Sequence, residues 1–166
     1  MQLLRAASAI VNGGNLVTPH FGLYAADESG NRTKTFSYQV KEDAIKKSTS
    51  DTMKELLEAV VAEGSGNKGQ VLGYRVGGKT ATSEKLPRGN GKYISSFLGF
   101  APANNPQIIG LVLIDEPVGV YYGGTIAAPV MSEIFSNILP YIGIEADYSA
   151  KETEETIAEP FVDLVE

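Results

Sequence analysis

Eight consecutive residues, Gly73-Tyr74-Arg75-Val76-Gly77-Gly78-Lys79-Thr80, satisfy G-x-x-x-x-G-K-[ST], the spacing of a phosphate-binding loop. In such a loop, backbone N–H groups meet phosphate oxygens and the lysine adds charge. Farther on, Leu111-Val112-Leu113-Ile114-Asp115-Glu116 has the form of an apolar strand ending in a magnesium-holding acid. The surroundings oppose this NTPase reading. A phosphate loop follows a buried strand and opens a helix. Only Val71 and Leu72 supply apolar residues before Gly73, and Pro87, Gly89 and Gly91 cut short any helix after Thr80. Lys79-Thr80-Ala81-Thr82 can instead be strand. A strand edge offers N–H and C=O groups to an extended peptide, and one N–H can meet a developing oxyanion. A lysine favours a carboxylate-bearing substrate, and hydroxyls bind that carboxylate. Four such residues taken alone also suit an ordinary solvated strand.

A second pattern is Ser65-Gly66-Asn67-Lys68, a serine with a lysine three residues on, which also contains S-x-N. A serine nucleophile served by that lysine needs both at the start of a helix, one turn apart. Here the run comes after Gly64 in a Gly- and Asn-containing loop, so a chance match is expected. The single histidine, His20, has no serine or acid arranged around it, and there is no cysteine. Thiolate metal sites, disulfides and histidine-rich sites are thereby excluded. Asp115-Glu116 reads as a solvated turn. The eight tyrosines are scattered and predict no stacking platform.

The elements that must position these residues are set by periodicity. Leu3, Leu4, Ala7, Ile10 and Val11 predict a helix stopped by Gly13-Gly14. It begins without a cap, as expected of a chain cut from a longer one. Leu16–Tyr24 and Thr33–Val40 predict a hairpin around Asp27–Asn31. Met53, Leu56, Leu57, Val60 and Val61 form the stripe of a second helix, with Ser48, Ser50 and Thr52 as N-cap candidates, Thr52 and Glu55 as a capping box, and Gly64 as its end. Strands are predicted over Tyr74–Ser83, Tyr93–Pro102 and Gln107–Asp115. Their short links imply antiparallel neighbours. The unbroken apolar run Ile108–Ile114 predicts a strand covered on both faces. Ile126, Val130, Ile134, Phe135, Ile138 and Leu139 form the face of a last helix.

The chain has 166 residues, 43% of them apolar and 20% charged, a one-domain, globular composition. Its formal charge of −6 sits at one end: residues 145–166 hold eight acids and one base, while the other 144 residues hold 12 acids and 13 bases. Phosphate binding needs clustered Lys and Arg, so a nucleic-acid partner is excluded. No apolar run approaches the ~17 residues of a membrane span, and no signal peptide precedes Leu3.

The motifs together resemble the C-terminal part of the transpeptidase domain of class B penicillin-binding proteins, of the division and sporulation type. The stretches that carry the resemblance are Gln2–Gly14, Leu16-Val17-Thr18-Pro19-His20, Val60–Gly66, Gly73–Thr82, Tyr93–Pro102, and Tyr122-Gly123-Gly124 with Ala127-Ala128-Pro129-Val130. They occur in family order. Ala81 departs from the pattern, standing where glycine is usual; its methyl would narrow the cleft or alter affinity.

The resemblance implies an α+β fold: a mainly antiparallel sheet flanked by helices, the C-terminal portion of the penicillin-binding protein/serine β-lactamase-like transpeptidase fold. Residues 1–144 are expected to be that portion of the domain, and 145–166 an acidic flexible tail or linker. The implied parent is a peptidoglycan D,D-transpeptidase that crosslinks stem peptides through a serine acyl-enzyme and reacts with β-lactams. Lys79 would shape the electrostatics and proton network. Thr80 and Thr82 would bind the substrate or β-lactam carboxylate, and the Thr82 N–H would be one oxyanion donor. Gly78 and Ala81 would line the substrate strand. No metal or organic cofactor is implied. The partners implied are stem peptides, β-lactams and the remainder of the domain, at the extracytoplasmic face of a bacterial membrane through an N-terminal anchor outside this chain. Without the helix-borne S-x-x-K and the S-x-N loop, the chain alone is expected to be inactive. The rivals are a P-loop NTPase and a non-catalytic peptide-binding or scaffold module. A β-lactamase or carboxypeptidase parent shares the K-T-G-like strand but fits the flanking stretches less well.

Overall fold

The structure, a computed structural model, describes residues 1–148. Helix α1 (Gln2–Val11) buries Ala7, Ala9 and Val11. Two short ribbons come next, nested as one meander: β1 (Leu16–Val17) pairs with β4 (Val40–Lys41), and β2 (Tyr24–Ala26) pairs with β3 (Arg32–Thr35), both antiparallel. The predicted hairpin is therefore present but interrupted. Its side chains stay largely exposed, with His20 stacked on Tyr38 at 3.7 Å.

Helix α2 (Lys47–Ala62) starts five residues before the predicted capping box. Lys46 is its N-cap and makes no side-chain capping bond, so Thr52 and Glu55 lie in the helix interior. The i,i+4 pair Lys47–Asp51, at 2.6 Å, holds the first turn instead. Ser50 is fully buried, and its hydroxyl accepts the Gly13 N–H at 3.0 Å, tying the end of α1 to α2. A 3₁₀ turn (Asn67–Gly69) leads on toward the sheet.

The main sheet has the order β5 (Gly77–Glu84), β6 (Tyr93–Ala101), β7 (Ile108–Asp115), all antiparallel, with Thr80 opposite Phe97 and Phe97 opposite Val112. Strand alternation gives this sheet two faces. On one face, Phe97, Ala101, Met131, Phe135 and Leu139 are at most 1% exposed and form the principal core with α3 (Gly123–Ile126) and α4 (Ala128–Tyr141). On the other face, Phe100 packs with Val11, Leu57 and Ile109 in a smaller cluster beneath α1 and α2. Two sequence readings change here. The apolar run Ile108–Ile114 is the outermost strand β7, only half-buried, with Leu113 60% exposed. The buried stripe of α4 is Met131-Phe135-Leu139, while Val130 and Ile134 face outward.

Gly77 and Gly78 owe their lack of side chains to the core. A Cβ on Gly78 would lie 2.6 Å from the Phe97 ring and from the Leu98 carbonyl, and one on Gly77 would enter the Phe100 ring. Residues 144–148 return across the body. The Tyr74 hydroxyl donates to the Ile144 carbonyl at 3.0 Å, and the Asp147 N–H donates to the Gly73 carbonyl at 2.7 Å. The rest of the expected acidic tail, 149–166, lies outside the described residues. Among the described residues, no helix is long and apolar enough to cross a membrane.

Candidate active-site strand and anion pocket

Lys79, Thr80, Ala81 and Thr82 occupy the middle of β5, whose outer edge pairs with no strand among the described residues. An open edge leaves backbone N–H and C=O groups available to an added chain. Alternation splits the four side chains. Thr80 and Thr82 lie on the α3/α4 side, whereas Lys79 and Ala81 lie on the α1/α2 side.

The threonine side opens into a cavity of about 310 Å³ lined by Thr80, Thr82, Ser65, Lys68, Tyr122 and Thr125, among others. No acid lines it. The Thr82 hydroxyl accepts the Gly123 N–H at 3.0 Å, so its own hydrogen is free to be donated. The Thr80 hydroxyl pairs with that of Ser65 at 3.0 Å. Beside the cavity, Tyr122 is tilted against Tyr121 at 4.7 Å, and Tyr121 stacks on Tyr93 at 4.1 Å with ring planes 7° apart. The Ser95 hydroxyl holds the Tyr121 carbonyl. A hydrogen bond with Tyr121, then its charge, pushes the Tyr122 phenol above its ordinary range. Tyr93 and Tyr121 thus stack as a pair, with Tyr122 tilted against Tyr121 at 33°. Tyr121-Tyr122 was the available signal, but Tyr93 comes from another strand.

On the opposite side, Lys79 and Ala81 border an apolar groove of about 370 Å³ together with Leu3, Met53, Leu57 and Leu111. The Lys79 ammonium donates to the Thr80 carbonyl at 2.8 Å. Gly78 is buried and does not reach the 310 Å³ cavity.

The stretch from Tyr74 to Lys92 holds five bases and one acid, yet most of that charge is already matched from elsewhere. Arg75 grips Glu58 through two bonds of 2.6 and 2.7 Å, and this contact raises its pKa. Lys85 binds Asp115 and Glu116, and Lys92 binds Glu116. The local excess read from composition therefore does not act as a free positive patch.

The phosphate-loop alternative fails on geometry. Lys79 and Thr80 are mid-strand. After Thr80 the chain continues as strand, then a turn and β6, with no helix to present N–H groups to phosphate. Ser65 and Lys68 do not form a nucleophilic dyad on a helix start either. Ser65 sits in the turn after α2, and its hydroxyl engages Thr80. Among the described residues, no three His, Asp or Glu side chains cluster as a metal site would require.

Residues 1–136 match the penicillin binding protein transpeptidase domain. The chain belongs to that family. It is 41% identical over 150 residues to the stage V sporulation protein D of Bacillus subtilis, covering 87% of this chain and 23% of that protein. Against the "Probable peptidoglycan D,D-transpeptidase PenA" of Neisseria flavescens, the identity is 38% over 149 residues, covering 87% and 34%. The solved TP domain of Burkholderia pseudomallei penicillin-binding protein 3 superposes with a TM-score of 0.68 at 33% identity, covering 87% of this chain and 43% of that one. The resemblance to class B penicillin-binding proteins and the α+β reading both hold. The chain spans 23% and 34% of the length of these two curated relatives.

Proposed function

We propose that residues 1–144 form the strand-bearing part of a peptidoglycan D,D-transpeptidase, with 145–166 an acidic tail. The observation that carries this reading is that, among the described residues, the edge of β5 is unpaired and lies beside a cavity that holds the Thr80 and Thr82 hydroxyls and no acid. A stem peptide would lie along that edge as an added strand. Thr80 and Thr82 would hold its terminal carboxylate, and the Thr82 N–H would stabilise the oxyanion of the acylated carbonyl. Lys79 would tune the proton network from the other face, which Ala81 shares, and Gly78, bare of a side chain, leaves room for the Phe97 ring behind the strand. The serine that forms the acyl-enzyme would come from an S-x-x-K helix, and no such helix is among the described elements. The parent would work at the extracytoplasmic face of the membrane, on stem peptides and β-lactams, without metal or organic cofactor.

Isotope-labelled chain titrated with N-acetyl-D-alanyl-D-alanine tests this. The expected result is amide shifts at Thr80, Ala81 and Thr82, lost in Thr82→Val. A labelled penicillin should leave the intact mass of the chain unchanged. Shifts confined to residues far from β5 would overturn the strand assignment, and a covalent adduct on Ser65 would overturn the assignment of the nucleophile to another segment.

A further inference from the structure

The turn after α2 is seated where it can act on β5. A Cβ on Gly69 would lie 2.7 Å from the Phe97 ring, and one on Gly66 would lie 3.3 Å from it. Phe97 is the register partner of Thr80. The turn therefore rests on the residue directly beside Thr80 in the sheet. From the other side, a side chain on Gly124 would strike the Ser65 carbonyl and lie 3.2 Å from the Thr80 methyl. Ser65, Thr80 and Gly124 are thus packed to contact without intervening bulk. Gln70 fastens the far end of the turn by donating to the carbonyls of Val61 at 3.0 Å and Ala62 at 2.9 Å.

This packing fixes which donors face the cavity. Thr82 retains its hydroxyl hydrogen, because its oxygen serves as acceptor for Gly123. Of the two hydroxyls in the Ser65–Thr80 pair, one donates to the other, which leaves a second hydrogen. Lys68 lines the same cavity and makes no ion pair among the described residues. Lys79 leaves from the opposite face of the strand and borders the apolar groove. Among the described residues that line the cavity, Lys68 is the one with a charged side chain.

We infer that the 64–68 turn is the second wall of the carboxylate site. Ser65 is a positioning residue that sets the Thr80 hydroxyl, and Lys68 is the counter-charge that selects a peptide ending in a free carboxylate. The inference rests on the proposed function and extends it from the strand to the turn. Two hydroxyl donors and one ammonium, with no competing acid among the described residues, suit a singly charged oxyanion.

The test uses the whole chain with two probes, N-acetyl-D-alanyl-D-alanine and its C-terminal amide, and reads the amide shifts of Ser65, Thr80 and Thr82. The acid should bind about tenfold more tightly than the amide, the scale of one charge-assisted hydrogen bond. Lys68→Gln should abolish that preference while leaving amide binding unchanged. Ser65→Ala should reduce it, and Ser65→Thr, which keeps the hydroxyl, should restore it. A purely structural role for the turn would move acid and amide affinities together. Lys68 is exposed, so its variant reports even if Ser65→Ala perturbs folding. Loss of the preference in Lys79→Gln with retention in Lys68→Gln would overturn the inference and leave the proposed function standing. Failure of both probes to shift β5 would overturn the proposed function and the inference with it.

Discussion

The two faces of the β5–β6–β7 sheet are finished to different degrees. Beneath α3 and α4, Phe97, Met131, Phe135 and Leu139 are at most 1% exposed. Beneath α1 and α2, the buried cluster is only Val11, Phe100 and Ala103, next to a 370 Å³ apolar groove. The proposed roles divide along the same line. Thr80 and Thr82 stand on the closed face, backed by a dense core, and Lys79 and Ala81 stand on the open one. Hydroxyls proposed to hold a carboxylate are thus mounted on the densely packed side. A long flexible ammonium tolerates the loose side.

The sharpest way to break this contrast is to truncate a core residue on each face. Phe135→Ala should lower the unfolding free energy by about 3–5 kcal/mol in urea, the usual cost of emptying a filled aromatic site. Leu111→Ala, on the half-covered open face, should cost about 1 kcal/mol by lost apolar burial. Equal losses would mean that the faces are equally packed in solution. Gly78→Ala comes next. Its methyl would meet the Phe97 ring and the Leu98 carbonyl, and overpacking of this kind costs about 1–3 kcal/mol. A neutral result would show that the closed face can breathe. Ser50→Ala should fall in the same range, about 1–3 kcal/mol, because the partly buried Gly13 N–H loses its acceptor. Amide exchange at Gly13 would report that loss directly.

The smallest effect is expected at the far end of the sheet, away from both faces. Hydrogen bonds from Lys85, then Lys92, hold the Glu116 carboxyl below its ordinary range, and Glu116, then Asp115, raises the Lys85 ammonium. The Glu116 contribution is present above the unfolded carboxylate range and is lost as pH falls through the lowered folded value. The Lys85 contribution is full below the ordinary lysine range and is lost as pH rises through its raised value. These groups are exposed, so salt screens them. Lys85→Gln should shift the urea midpoint slightly at neutral pH and not at all at acid pH or in molar salt. A large salt-resistant shift would mean that the ion cluster is a third structural region.

How much of the molecule is legible in the sequence depends on the range of the deciding contacts. The order of α1, α2, β5, β6 and β7 is written in local apolar spacing and turn chemistry. Which strand is central is not, because Ile108–Ile114 reads alike at an edge or a centre, and only the pairing of β7 with β6 alone decides it. The start of α2 escapes a sequence reading because Thr52 and Glu55 satisfy a capping pattern that the helix runs through, its first turn secured by Lys47 and Asp51 instead. Thr80 and Thr82 are legible from the strand motif. Ser65 is visible as a serine but not as the partner of Thr80, fifteen residues away. Only the fold of the 64–69 turn onto Phe97 makes that pair. The count of bases around Lys79 misleads for a related reason, since Glu58, Asp115 and Glu116 reach Arg75, Lys85 and Lys92 from other elements.

The return of residues 144–148 has a mechanical meaning. The Tyr74 hydroxyl holds the Ile144 carbonyl, the Asp147 N–H holds the Gly73 carbonyl, and a side chain at Gly73 would collide with Ala146 and Tyr148. Tension applied to the chain beyond Tyr148 is therefore carried first to Gly73, four residues ahead of β5, and reaches the end of α4 only after that clasp gives way. The strand that carries Lys79, Thr80 and Thr82 lies in the load path of whatever pulls on the C-terminal side.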